Sequence, residues 1–248
     1  VLTLVDVRES ALADLREYIA VQTRKRAAKT PQLLQTFYPD TAADEVADAF
    51  VNDTLAVIRM TTAIEDVGGS RLVLEAVPEI EPLKIETLRR IDAAGTGQAW
   101  LLSNTSSIPI GHLDATANLG GRIVGLHFYN PPAVQKLVEL IPASSTQPQL
   151  VAIASDLIQR LGKTEVLSAD VAGFIGNGFF IRDTLHTLAM TERLATQRPL
   201  HEAVYAMDRV TRDGLLRPMG TFQLIDYVGL DVFHAITRTM GTHIDGEL

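Results

Sequence analysis

The hydrophobic period of this chain changes once, near Asp170, and that change constrains the fold more than any other feature. Before it, short apolar runs alternate with longer stretches of helical period. The runs are Leu2–Val5, Val57–Met60, Leu72–Glu75, Ala99–Leu102, Ile123–His127, Lys136–Ile141 and Thr164–Leu167. Runs this short, separated by helical patterns, suit a mostly parallel sheet covered by helices, because a parallel pairing needs a long crossover. From Arg8 to Lys29 the apolar side chains of Ala11, Leu12, Leu15, Ile19 and Ala20 recur with helical period. Pro82 opens a second helix that runs to about Ala94, and residues 144–161 form a third that stops at Gly162. Beyond Asp170, the segments Phe174–Gln197, His201–Asp213 and Met219–Met240 have helical period and no strand. The chain is therefore expected to be an α/β domain over residues 1–169 followed by an all-helical domain over residues 170–248.

Composition narrows the function classes. A formal net charge of −8 argues against nucleic acid or an anionic membrane as partner, since both require a basic surface. A small-molecule ligand is expected instead. The absence of cysteine excludes disulfides, thiolate catalysis and cysteine-ligated zinc, and the six histidines show no HExxH spacing, so no metal is expected. No apolar run reaches membrane-spanning length, and a cytoplasmic protein is expected. The chain enters its first strand at Leu2 with no preceding turn, which leads us to expect missing upstream sequence.

One residue demands a partner. Glu139 lies among Leu137, Val138, Leu140 and Ile141, and a carboxylate within a buried run must be hydrogen-bonded. His127, twelve residues earlier in the run GLHFYNP, can supply that bond and form an acid-base dyad. His127 alone would more simply be a turn or core histidine. Asn130-Pro131-Pro132 reads as a turn whose amide lies close behind the histidine. The hydroxyl cluster Ser103-Asn104-Thr105-Ser106-Ser107 ends a strand, where one serine should cap the next helix and where open α/β sheets also bind ligands.

Other positions carry two readings. Asn177 sits between Gly176 and Gly178 at a helix start, and each glycine costs about 1 kcal/mol relative to alanine. Either the helix packs tightly there or Asn177 projects into a cleft. Asp6, at the tip of the first strand, is a ribose-binding acid or a helix N-terminal acid. The glycine-rich loop that accompanies such an acid would lie about 20 residues upstream, before Val1. Gly95-Thr96-Gly97 follows a helix and cannot replace it, and Gly68-Gly69 and Gly120-Gly121 read as turns. Arg24, Lys25, Arg26 and Lys29 form a solvated basic tail that complements a helix end or meets a ligand phosphate.

Four blocks in order, SNTSSIPI from Ser103, GLHFYNPPAVQKLVELI from Gly125, GKTEVLSADVAGFIGNGFF from Gly162 and RPMGTFQLIDYVGLD from Arg217, resemble the short-chain-length L-3-hydroxyacyl-CoA dehydrogenases of fatty-acid β-oxidation. The resemblance runs from Asp6 to about Asp231. It implies a Rossmann-like, mostly parallel sheet lacking its first strand, an all-α C-terminal domain, NAD as cofactor, an acyl-CoA substrate and a homodimer formed through the helical domain. By position it implies His127 as the catalytic histidine and Glu139 as its partner, with Ser106 and Asn177 contacting substrate and holding the geometry. It further implies Asp6, Glu79, Lys84, Ser106 and Asn130 as cofactor contacts and Lys29 as a contact to the CoA moiety. The chain departs from the family in carrying Gly176 and Gly178 around the asparagine, and both ends look truncated. Two alternatives stay open: a related NAD-dependent hydroxy-acid dehydrogenase of the L-gulonate type, and a non-catalytic dimerising remnant that lacks the phosphate loop.

Overall fold

The computed structural model describes residues 1–244, so the last four residues of the expected helical domain lie outside it. Two compact units are present: Val1–Ser70 with Arg90–Gln98, and Arg71–Arg89 with the chain from Ala99 onward.

In the first unit, β1 (Leu2–Val5) leads through α1 (Glu9–Ala27), α2 (Pro31–Phe37) and α3 (Val46–Ala56) to β2 (Ile58–Thr61). The two strands pair in parallel from Leu2 opposite Ile58 to Val5 opposite Thr61. Ala27, Leu34 and Val46 form a small core with Tyr38, Ala47 and Phe50 packed against it. The sequence reading assigned no element to residues 30–56. Pro31 at the first position of α2 is a usable start signal, but α2 buries only Leu34, too little to reveal a period.

In the second unit, β3 (Leu72–Glu75), β4 (Trp100–Ser103), β5 (Ile123–Phe128), β6 (Leu137–Ile141) and β7 (Thr164–Leu167) form one sheet in chain order. It also contains α4 (Glu81–Ala94) up to Arg89, α5 (Ile110–Ala117) and α6 (Pro148–Arg160). All neighbours are parallel except β5 and β6, which are antiparallel. Residues 129–136 are too few for a parallel crossover, which takes a dozen or more, so a turn at Asn130-Pro131-Pro132 folds the chain straight back. The core gathers Leu102, Val124, Leu126, Val138 and Leu140 from the strands and Leu150, Ala154 and Ile158 from α6. Leu150 and Ile158 are fully buried, a contribution of about 1.5–3 kcal/mol each. Gly121, which turns the chain into β5, has φ +78°, and a side chain there would meet the Ser145 carbonyl oxygen at 2.1 Å.

After β7 the described chain is helical: α7 (Gly176–Ala195), α8 (Leu200–Arg209), a π-turn over Val210–Gly214, α9 (Thr221–Val228) and α10 (Leu230–Gly241). Met219–Met240 was expected as one helical stretch. It divides at Gly229, whose φ of +100° stops α9 and starts α10. Asp208 receives the Phe222 N–H at 2.7 Å and so caps α9 from α8. Among the described residues no helix is long and apolar enough to cross a membrane.

Candidate active site

The antiparallel turn between β5 and β6 sets His127 directly opposite Glu139. Cross-strand partners share one face of a sheet, so the twelve-residue spacing seen in the sequence becomes a contact. Nδ1 of His127 lies 2.6 Å from Oε2 of Glu139, and the two residues are only 6% and 2% exposed. The other oxygen, Oε1, accepts the backbone N–H groups of Ile175 and Gly176 at 3.0 Å each. Gly176 opens α7, so the carboxylate also caps the positive end of that helix.

Burial pushes the Glu139 carboxyl up, but the hydrogen bond from His127, the Gly176 N–H, the histidine's charge and the Ile175 N–H together hold it below the ordinary value. An ionised carboxylate only accepts hydrogen bonds. Nδ1 of His127 therefore carries the hydrogen, and the lone pair on Nε2 is the basic site. Paired in this way, the imidazole can take a proton at Nε2 while the carboxylate stabilises the resulting charge.

A second network holds the segment that follows β4. Glu75, at the end of β3, accepts the Ser103 hydroxyl at 2.6 Å, the Val77 N–H at 2.7 Å and the Lys84 ammonium at 2.9 Å. Lys84 also donates to the Val77 carbonyl at 3.0 Å and lies 3.3 Å from Glu79 Oε2. Its ammonium is wholly buried, and three acceptors offset the cost of taking it out of water. Glu79 Oε1 in turn accepts the Thr105 hydroxyl at 2.6 Å and the Ser106 N–H, Ser107 N–H and Ser107 hydroxyl at 2.9 Å each. Burial raises the Glu79 carboxyl, but the Lys84 charge and these hydrogen bonds leave it below the usual range.

These two networks meet at α7. The Asn177 amide Nδ2 donates to the Ser106 carbonyl at 2.9 Å, so Ser106 is held by Glu79 on one side and by Asn177 on the other. Asn104 Oδ1 accepts the Phe128 N–H at 2.9 Å, next to the histidine. Tyr129 and Phe174 flank the imidazole, with ring centroids 4.9 and 6.1 Å away. A side chain on Gly176 would meet the Tyr129 hydroxyl at 2.2 Å, and this close approach is why glycine precedes the asparagine. Burial, followed by the charge of Glu139 and a hydrogen bond to it, raises the Tyr129 hydroxyl well above its usual value. Tight packing thus accounts for Gly176, while the Asn177 amide is turned onto the Ser106 carbonyl.

The remaining sequence-identified residues lie as follows. Asn130 is exposed and precedes Pro131 through a cis peptide bond. Asp6 and Lys29 belong to the first compact unit. Asp6 accepts the Arg8 N–H at 2.9 Å and keeps 40% of its side chain exposed. Lys29 is exposed just beyond α1.

The expected serine cap is absent. Pro109 stands at the N-cap of α5, and Asp170 accepts the first two helical N–H groups, Ile110 at 2.6 Å and Gly111 at 2.8 Å. No local signal could reveal Asp170 in this role, since its partners are 59 and 60 residues away. Glu75 was also missed, because it closes an apolar strand, whereas Glu139 was exposed by apolar residues on both sides.

Residues 2–171 match the family profile described as 3-hydroxyacyl-CoA dehydrogenase, NAD binding domain, and residues 173–247 match 3-hydroxyacyl-CoA dehydrogenase, C-terminal domain. The chain is 35% identical to a 3-hydroxybutyryl-CoA dehydrogenase of Mycobacterium tuberculosis over 202 residues, covering 80% of this chain and 68% of that protein. It is 33% identical to the mitochondrial hydroxyacyl-coenzyme A dehydrogenase of Homo sapiens over 229 residues, covering 92% and 68%. Among solved structures, the (S)-3-hydroxybutyryl-CoA dehydrogenase of Ralstonia eutropha superposes with a TM-score of 0.71 at 26% identity, covering 97% of this chain and 78% of that one.

Proposed function

The chain belongs to the 3-hydroxyacyl-CoA dehydrogenase family, and on that premise we propose that it interconverts an L-3-hydroxyacyl-CoA and the 3-oxoacyl-CoA, with His127 as acid-base group and Glu139 as its partner. Its cofactor is NAD. The donors present suit that group, since Asp6 keeps a partly exposed carboxylate at a strand end, where such folds hydrogen-bond a ribose hydroxyl. Bound NAD supplies the hydride acceptor for C3 of the substrate.

The chain's own residues supply the rest. In the oxidising direction Nε2 of His127 takes the proton of the 3-hydroxyl as the C3 hydride leaves, and Glu139 stabilises the imidazolium. In the reducing direction the imidazolium returns that proton to the oxygen at C3. Ser106 orients the substrate oxygen and the cofactor, and Asn177 keeps Ser106 in place through its backbone. Glu79 and Lys84 act on the cofactor side through the segment that they hold, and Asn130 is a further cofactor contact. Lys29 meets the CoA moiety. A homodimer would cover the exposed Phe179, Tyr205, Leu216, Tyr227 and Leu230 of the helical region, and sedimentation would report a monomer if it does not form.

The observation that carries this reading is the buried 2.6 Å contact between His127 Nδ1 and Glu139. NADH oxidation by acetoacetyl-CoA tests it. His127→Gln should lower kcat by at least ~10²-fold, the smaller end of what a general base contributes. Unchanged turnover in that variant would remove His127 from the reaction.

A further inference from the structure

Away from the dyad, three side chains that the dehydrogenase reading leaves unused converge. Glu81 opens α4, His112 lies in α5, and His243 follows α10. His112 Nε2 is 2.7 Å from Glu81 Oε1, and His243 Nε2 is 3.2 Å from Glu81 Oε2. The two imidazole rings stand edge to face with centroids 4.8 Å apart. One ligand atom from each of the three residues falls within 4.8 Å of the others.

We propose that Glu81, His112 and His243 form a binding site for a single divalent transition-metal ion of the zinc type. Two imidazole nitrogens and one carboxylate oxygen are a donor set that zinc takes with water in the fourth position. Bonds of about 2.0–2.1 Å in a tetrahedron place neighbouring ligand atoms roughly 3.4 Å apart. The His243 contact to Oε2 is already close to that spacing, the His112 contact to Oε1 needs to open by less than ~1 Å, and the widest separation of the three ligand atoms, within 4.8 Å, needs to close by up to roughly 1.4 Å. Side-chain exposures of 31% for Glu81, 37% for His112 and 12% for His243 leave room for the ion and its water to enter.

As a purely hydrogen-bonded cluster, the arrangement requires both imidazoles to carry their hydrogens on Nε2, one on each oxygen of the same carboxylate. A cation reverses that arrangement, since both Nε2 lone pairs and the anionic oxygen then point at one positive charge. The ligands come from segments far apart in sequence, so a bound ion would cross-link the segment after α10 to α4 and α5. It would thereby stabilise the folded chain by binding it in preference to the unfolded one.

The test uses the full chain, stripped with a chelator and titrated with zinc sulfate by calorimetry, with cobalt(II) as spectroscopic probe. The expected result is one equivalent bound, a tetrahedral cobalt spectrum and a rise of several degrees in thermal midpoint. His112→Ala and His243→Ala should each weaken zinc at least ~100-fold, the upper range for losing even an outer partner of a metal ligand. Glu81→Gln, which keeps a neutral hydrogen-bonding cluster, should do likewise without loss of fold. His201→Ala, at an exposed histidine in α8, should change nothing. His127→Gln should bind zinc normally, which separates this site from the dehydrogenase reading. Failure of the wild-type chain to bind, or binding of equal strength in the cluster variants, would overturn the proposal.

Discussion

Replacing Glu139 by glutamine separates the chemical role of this residue from its structural one. The carboxylate has two duties on two oxygens: Oε2 faces His127 Nδ1 at 2.6 Å, and Oε1 accepts Ile175 and Gly176 N–H at 3.0 Å. Glutamine has one acceptor oxygen and one donor group in the same shape. If its oxygen stays on the two N–H groups of α7, its amide hydrogens face Nδ1. The imidazole must then move its hydrogen to Nε2, and the lone pair that we propose takes the substrate proton is lost. If the amide turns over instead, its NH₂ meets two backbone donors and leaves both unsatisfied. The first orientation therefore wins. Loss of the general base lowers kcat by ~10² to 10⁴-fold, which is about 2.7–5.4 kcal/mol of barrier. Exchange of a charge-assisted hydrogen bond for a neutral one costs about 1.5–3 kcal/mol of stability at most, so the chain should remain folded. Glu139→Ala, by contrast, strands the imidazole and the two α7 N–H groups among its donors and should destabilise by ~3–5 kcal/mol. The assay is NADH oxidation with acetoacetyl-CoA, run beside thermal unfolding of the same preparations. A folded Glu139→Gln chain with kcat within about threefold of wild type, well under the general-base contribution, would refute the tautomer argument.

Three further outcomes follow from the same geometry. The folded carboxyl of Glu139 lies below its ordinary value of 4.5, so its contribution to stability is present above that pH and is lost as pH falls through the folded value. The difference in thermal midpoint between wild type and Glu139→Gln should therefore shrink as pH falls below 4.5, and a constant difference would contradict it. Lys84→Met leaves the buried Glu75 carboxylate without its counter-charge and should cost ~3–5 kcal/mol in denaturant unfolding, while Lys29→Met at an exposed site should cost almost nothing. Gly176→Ala forces a methyl to 2.2 Å from the Tyr129 hydroxyl and should lower the thermal midpoint, and adding Tyr129→Phe should restore part of it. Recovery stays incomplete because two ring carbons remain at 2.9 Å, and no recovery at all would place the conflict elsewhere.

Legibility in the sequence followed the range of each interaction. The strands were readable because each is a short apolar run, and the described edges differ from the expected ones by about a residue, as at β2 and β4. α6, with its apolar face, was also readable, as was α7, although threonines make up much of its buried face. The short α2 escaped because it buries a single residue, and α5 was expected only as the helix that a serine should cap, without bounds. The break at Gly229 was hidden inside a continuous helical period. Only its positive φ separates α9 from α10.

The sequence by itself determined that Glu139 needs a partner and that His127 lies near enough along the chain to provide it. An acid inside a continuous apolar run and the cost of a bare buried carboxylate are local facts, legible without coordinates. Tertiary structure decided the protonation pattern. The second oxygen of Glu139 is occupied by the start of α7, 36 and 37 residues later, and Ser106 is held by Asn177 from 71 residues away. With the His127 hydrogen bond, the two α7 N–H groups hold the Glu139 carboxyl below its ordinary value, so that Nδ1 carries the hydrogen and Nε2 is the basic nitrogen. Hydrophobic period reports which face of an element is buried, but the folded backbone alone determines which distant donor arrives there.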